Sequence, residues 1–181
     1  MKIETPFPEC KDIKLIETNL YTDERGFFSK VYDFYIFDNF YIKQINISYN
    51  KKKGTVRGLH YQKKEFSEKK LIYCLNGKII DYLIDLRKNS KTFGKVFNLQ
   101  LSEGCKKMIL VPNGFGHGFQ TIEDNTSLLY FHDQKFMPDY EGGINILDND
   151  LKINFLINKK IISFKDKNLP VFNISEKYFE M

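Results

Sequence analysis

Residues 78–87, KIIDYLIDLR, decide the fold class. In an extended chain successive side chains alternate between faces, so Asp81, Leu83 and Asp85 share one side and Tyr82, Ile84 and Leu86 the other. Residues 41–50, YIKQINISYN, alternate as cleanly, with Gln44, Asn46 and Ser48 opposite Ile45 and Ile47. KVFNLQL (95–101), KKMILVP (106–112) and TSLLYFHD (126–133) continue the series, and glycine, asparagine or proline separates the runs from residue 25 to residue 133. Helices are expected only as short pieces, near FYIFDNF (34–40) and in the tail from about Ser175. Many short strands at roughly 8–12-residue spacing imply an all-β, antiparallel sandwich or barrel. A jelly roll protects its edges in this way and can enclose a ligand.

The bulk properties agree. A chain of 181 residues without repeat or linker reads as one domain, 1–181, long enough to bury a core. Tryptophan is absent, while 17 Phe and 11 Tyr favour strands. A net charge of +5 suits an acidic small ligand or a nucleic acid. The lysines are dispersed among carboxylates, apart from Lys51–Lys53, which reads as a solvated loop. No recognition motif accompanies the charge, so nucleic acid is not expected as a partner. Cys10, Cys74 and Cys105 are odd in number and widely spaced, which argues against a disulfide framework or a zinc knuckle. The first residues lack an apolar leader and no window approaches 18 apolar residues. The expected setting is cytoplasmic, with no membrane partner.

Two of the three histidines lie in glycine-flanked strand-like runs: His60 in GTVRGLHYQ (54–62) and His117 in NGFGHGFQ (113–120). Arg57 and His60 are three apart, so an unbroken strand would point them to opposite faces. A bulge near Gly58 would bring both to one side. Gln44, Asn46 and Ser48 on an inner face would destabilise the core unless a ligand or water met them. A structural histidine and a strand with one face in water are the plainer readings of the same residues, and spacing alone leaves both open.

Ten motifs in order decide between them: DERGFF (23–28), QINIS (44–48), RGLHYQ (57–62), EKKLIYC (68–74), DYLIDLR (81–87), KTFGK (91–95), VPNGFGHGFQT (111–121), LLY (128–130), DYEGGI (139–144) and SFKD (163–166). Nearly the whole chain resembles the dTDP-4-keto-6-deoxyglucose 3,5-epimerase family, metal-free cupin-like enzymes of the deoxysugar pathway to rhamnose. The resemblance implies a cupin-like jelly roll and a cofactor-independent epimerase. It would act at C3, and also C5, of a nucleotide-diphosphate 4-keto-6-deoxyhexose. The chemistry requires a base for the acidified proton, a cation or donor at the enolate oxygen, and an acid on the opposite face.

The resemblance places the base on His60, oriented by Asp166. It puts Lys70 at the 4-keto oxygen with Asp81 beside it, and the acid on Tyr130. It assigns Arg25 and Arg57 to the diphosphate, Phe27, Gln44 and Asn46 to the sugar nucleotide, and His117 to the sugar pocket. His132 matches nothing in the family and reads as an ordinary strand-end residue. LRKNSKTFGK (86–95) reads as a loop and strand start without chemistry.

Lys30, Phe131 and Lys135 depart from the thymidine-selective pattern of glutamate, lysine and an aromatic, although Phe136 is adjacent to the last. A CDP- or GDP-linked sugar is therefore an alternative substrate. A sugar 3,4-ketoisomerase and a metal-dependent cupin would both call for histidines that the strand around His60 lacks. A non-catalytic sugar-nucleotide-binding cupin would not need His60, Lys70, Tyr130 and Asp166 together. A homodimer is also expected. DIKLIE (12–17) reads as an edge strand with nothing local to pair with, and in the family such a strand crosses to the partner subunit.

Overall fold

Among the residues that the structure describes, 1–37, 39–176 and 178–179 of a computed structural model, extended segments dominate and fourteen strands form three sheets. The first sheet holds, in spatial order, β1 (Lys2–Glu4), β2 (Lys14–Glu17), β10 (Lys107–Val111), β7 (Lys70–Asn76), β12 (Thr126–His132) and β5 (Gln44–Asn50). The second holds β13 (Glu141–Gly143), β6 (Thr55–Gln62), β11 (Phe115–Thr121), β8 (Lys78–Asp85) and β9 (Val96–Ser102), with β14 (Ile161–Ile162) added in parallel to β6. β3 (Leu20–Asp23) and β4 (Gly26–Ser29) form a separate hairpin.

Period-two alternation explains why the two sheets stack. On β7, Ile72 and Cys74 enter the central core while Leu71 and Tyr73 face the opposite side. On β8, Ile79 and Leu83 point inward and Ile80, Tyr82 and Ile84 outward. The outward set does not meet water. Ile144, Ile146 and Leu151 cover the second sheet, and Phe37 and Phe40 cover the first. The result is an antiparallel sandwich of the cupin-like jelly-roll kind, with the central strands of both sheets covered on their outer faces as well.

Three expectations are corrected. FYIFDNF forms turns rather than a helix, since Phe37 and Phe40 bury themselves against the first sheet; Asp38 lies outside the described residues. The tail from Ser175 is not helical where it is described. The α-helix present among the described residues, α1 (Phe164–Lys167), lies in SFKD instead. DIKLIE is not an edge: β2 lies between β10 and β1, because Lys2–Glu4 folds back along it. Cys10, Cys74 and Cys105 are free thiols. No helix among the described residues is long and apolar enough to cross a membrane.

Candidate active site

A cavity of about 210 Å³ opens between the two sheets, and each wall comes from a different one. On β6, the ladder to β11 shifts register between the pairs His117–His60 and Phe119–Arg57, leaving one extra residue on β6. This is the bulge expected near Gly58, and it lets Arg57 and His60 both line the cavity. Gly58 has φ +105°, and a Cβ there would lie 2.6 Å from both Gly118 Cα and the His117 carbonyl oxygen. Only glycine fits. Its N–H donates to Asp166 Oδ2 at 3.1 Å, so the bulge also holds a carboxylate.

The other oxygen of Asp166 lies 3.0 Å from His60 Nε2. Asp166 sits in α1, where Ser163 at the N-cap accepts its backbone N–H at 3.0 Å. Burial would raise the Asp166 carboxyl, but the bond and charge of His60 and the Gly58 N–H outweigh it and hold the group below its ordinary value. An ionised carboxylate only accepts, so neutral His60 carries its proton on Nε2 and keeps the lone pair on Nδ1.

The opposite wall is set by register. Gln44, His132 and Lys70 face one another across β5, β12 and β7, and Asn46, Tyr130 and Ile72 form the next row. Tyr130 is half-buried, with its ring 6.0 Å from that of His117, nearly edge-on, and 6.1 Å from that of His132, nearly parallel. Burial drives its hydroxyl well above the usual phenol value and the Asp81 charge adds to that, while Arg57 and Ser48 oppose more weakly.

Each histidine has its own carboxylate. His117 Nε2 lies 2.7 Å from Asp81 Oδ1, and Asp81 is fully buried. His132 Nδ1 lies 2.7 Å from Glu68 Oε2, whose Oε1 takes Lys70 Nζ at 3.1 Å. The carboxylate on Lys70 is therefore Glu68, and Asp81 stands behind His117. Arg57 Nε donates to Asn50 Oδ1 at 2.9 Å. Among the described residues no three His, Cys, Asp or Glu side chains converge as a metal-ligand set.

Asn46, Arg57, His60, Lys70, His117 and Tyr130 thus line one cavity, with Asp166 and Asp81 supporting two of them. Gln44 stands just outside it, bonded to Asn46 at 3.2 Å. Arg25 and Phe27 are not brought there. They sit on the exposed β3–β4 hairpin, where Arg25 pairs with Asp23. Lys30 pairs with Asp33, Phe131 is buried on the outer face of its sheet, and Lys135 and Phe136 are exposed. The sequence reading missed Glu68 and made His132 an ordinary residue. The available signal was spacing by two: His132 follows Tyr130 on one strand, which places both on one face.

Comparison with known proteins agrees with this geometry. A family model described as dTDP-4-dehydrorhamnose 3,5-epimerase matches residues 8–173. The dTDP-4-dehydrorhamnose 3,5-epimerase of Shigella flexneri is 31% identical over 175 residues, 94% of this chain and 96% of that protein. The enzyme of the same name from Methanothermobacter thermautotrophicus is 34% identical, over 85% of this chain and 86% of its own. The crystal structure of the Bacillus anthracis dTDP-4-dehydrorhamnose 3,5-epimerase, with TDP and PPi bound, superposes with a TM-score of 0.89 at 35% identity, covering 94% of this chain and all of that one. A Legionella pneumophila 3,5-epimerase in complex with dTDP-4-keto-L-rhamnose gives 0.86 at 31% identity, covering 94% and 92%.

Proposed function

The chain belongs to the dTDP-4-dehydrorhamnose 3,5-epimerase family, and from that membership we propose how its residues divide the work of epimerisation. The activity is that of an isomerase of dTDP-rhamnose biosynthesis, inverting carbons next to a 4-keto group. His60 Nδ1 removes the proton from C3, and the electron pair moves onto the 4-oxygen, where the Lys70 ammonium meets the developing charge. Tyr130 then delivers a proton to the carbon from the other side. The same cycle at C5 completes the 3,5-epimerisation. Asp166 supports the imidazolium formed in the first step, and His117, backed by Asp81, lines the sugar pocket.

One observation carries this reading: His60 stands on the second sheet and Tyr130 on the first, with the cavity between them. A flat enolate between two sheets has its base and acid on opposite faces, as inversion demands. The cavity is smaller than the roughly 300–1,000 Å³ of a drug-sized site, so it holds the sugar and leaves the nucleotide outside. Arg57 and Asn46, the exposed polar residues of the lining, with Gln44 beside Asn46, meet the diphosphate and sugar, a guanidinium fork being suited to phosphate oxygens.

The protein acts as a homodimer, and Arg25 and Phe27 serve the pocket of the partner subunit. Support comes from the unpaired edge of β5 among the described residues, whose outward Ile45, Ile47 and Tyr49 are more than half exposed. Three free cysteines fit a cytoplasmic setting. The test is deuterium exchange, followed by NMR, with dTDP-4-keto-6-deoxyglucose in D₂O. His60→Ala is expected to abolish both epimerisation and wash-in at C3 and C5. Near wild-type exchange at C3 in that variant would remove His60 from the role of base.

A further inference from the structure

His132, to which the family resemblance assigns nothing, lines the cavity and is only 8% exposed. Its hydrogen bonds belong to a chain that crosses three strands. The backbone N–H of Phe136 donates to Gln44 Oε1 at 2.8 Å, and Gln44 Nε2 donates to Asn46 Oδ1 at 3.2 Å. Asn46 Nδ2 lies 3.3 Å from His132 Nε2, and His132 Nδ1 lies 2.7 Å from Glu68 Oε2. Glu68 Oε1 takes the Lys70 ammonium at 3.1 Å.

The two ends fix the direction of every link. A backbone N–H only donates, so Gln44 turns its oxygen to Phe136 and its NH₂ to Asn46. Asn46 receives on oxygen and gives from nitrogen, which makes His132 Nε2 the acceptor. At the far end, burial opposes the charge of Glu68, but the Lys70 ammonium and the His132 bond outweigh it and keep the carboxyl below its ordinary value. An ionised carboxylate only accepts, so His132 Nδ1 carries the proton. One species of His132 satisfies the whole chain, the neutral ring with hydrogen on Nδ1. The opposite tautomer or the imidazolium would set N–H against N–H at Asn46.

We infer that His132, anchored by Glu68, is a positioning residue for the nucleotide sugar: it dictates which atoms Asn46 turns to the ligand and ties Gln44 and the loop at Phe136 to the same arrangement. This rests on the reading of the cavity as the epimerase site. The chain avoids His60 and Asp166 and reaches the reacting groups only at Lys70, whose ion pair uses the other oxygen of Glu68 and survives replacement of His132, so loss of His132 falls on binding rather than on proton abstraction.

Two measurements test it. Long-range ¹H–¹⁵N spectra of the labelled wild-type protein report ring tautomers, with His132 identified by the signals missing from His132→Gln. Hydrogen on Nδ1 of neutral His132 is expected. Hydrogen on Nε2 alone, or an imidazolium at pH 7.5, overturns the proposal whatever the protein turns over. In kinetics with dTDP-4-keto-6-deoxyglucose, His132→Leu is expected to raise KM about tenfold with kcat within about threefold. His132→Gln can accept from Asn46 and donate to Glu68, and is expected to recover most of that KM. A KM within about twofold of wild type for His132→Leu, a loss carried by kcat alone, or no recovery in His132→Gln overturns it. Should His132→Leu fail to fold, the wild-type spectrum and His132→Gln still decide. If wild-type protein neither turns over nor exchanges the sugar, the epimerase reading fails, and the tautomer spectrum still judges the hydrogen-bond chain.

Discussion

Tyr130 holds its proton because burial penalises the phenolate and the Asp81 charge, behind His117, adds to the penalty. Such a phenol yields its proton only to a strong base such as an enolate carbon. Tyr130→Phe keeps the ring and its contacts with His117 and His132 while deleting the donor. Epimer formation is expected to fall roughly 10²–10⁴-fold. Deuterium should still enter C3 with retained configuration, because His60 can take the proton and return solvent deuterium to the same face. Parallel loss of exchange and epimerisation, seen by NMR, would take the acid role away from Tyr130. At this scale the motifs carried the residue types, and the Arg57–His60 spacing around Gly58 carried the bulge. What the sequence did not display was which carboxylate meets which base. Glu68 bridges Lys70 and His132 because β7 and β12 set those two side by side, a register decided by the whole sheet.

Strands were legible where alternation ran for five residues or more, and β8 is the clearest case. The helix was not. α1 spans only Phe164–Lys167, too short for a 3.6-residue period to appear, and its one local signal is the Ser163–Asp166 spacing of an N-terminal cap. The segment after β8 is, as read, a loop leading into β9, and what alternation could not show is the clamp that holds it. Asp85, fully buried, accepts from Arg87 Nε and Nη2 at 2.9 and 2.8 Å and from the Ser90 and Thr92 hydroxyls at 2.6 and 2.7 Å. Burial alone would raise this carboxyl; the bonds from Arg87, Ser90 and Thr92 outweigh burial and lower it. Asp85→Asn breaks the cluster and leaves the Arg87 charge under-compensated, a change expected to cost about 3–5 kcal/mol in urea unfolding at pH 7. The sign of the pH dependence follows from the lowered value. The stabilisation is complete above the unfolded carboxyl pKa of about 3.9 and is lost as pH falls through the folded one. The gap between wild type and Asp85→Asn should therefore narrow in acid below about pH 4. Equal stabilities at pH 7 would show that the clamp contributes nothing.

At the scale of the molecule, the sandwich closes its core but leaves two apolar features exposed among the described residues. One is the β5 edge with Ile45, Ile47 and Tyr49, and the other is the hairpin where Tyr21, Phe27 and Phe28 are 63%, 57% and 71% exposed. The hairpin also carries Arg25, proposed above to serve the partner's pocket, on a surface that shares no lining residue with the His60 cavity. The proposed two-fold dimer would account for both, since an isologous contact covers the same apolar surface on each copy and can bring each hairpin to the other subunit's pocket. Light scattering should then give twice the 21.5 kDa chain mass at micromolar concentration. Sharing of sites makes a sharper demand. His60→Ala and Arg25→Ala homodimers should each be impaired, yet subunits unfolded together and refolded as a mixture should regain activity. In a heterodimer one pocket has lost both groups, while the other combines His60 of one subunit with Arg25 of the other. With random pairing, half the dimers are mixed and half their sites intact, so recovery should approach about a quarter of wild type. A monomeric mass would exclude the arrangement outright. A dimer whose mixed forms recover nothing would keep the assembly but return Arg25 to the surface turn it makes with Asp23.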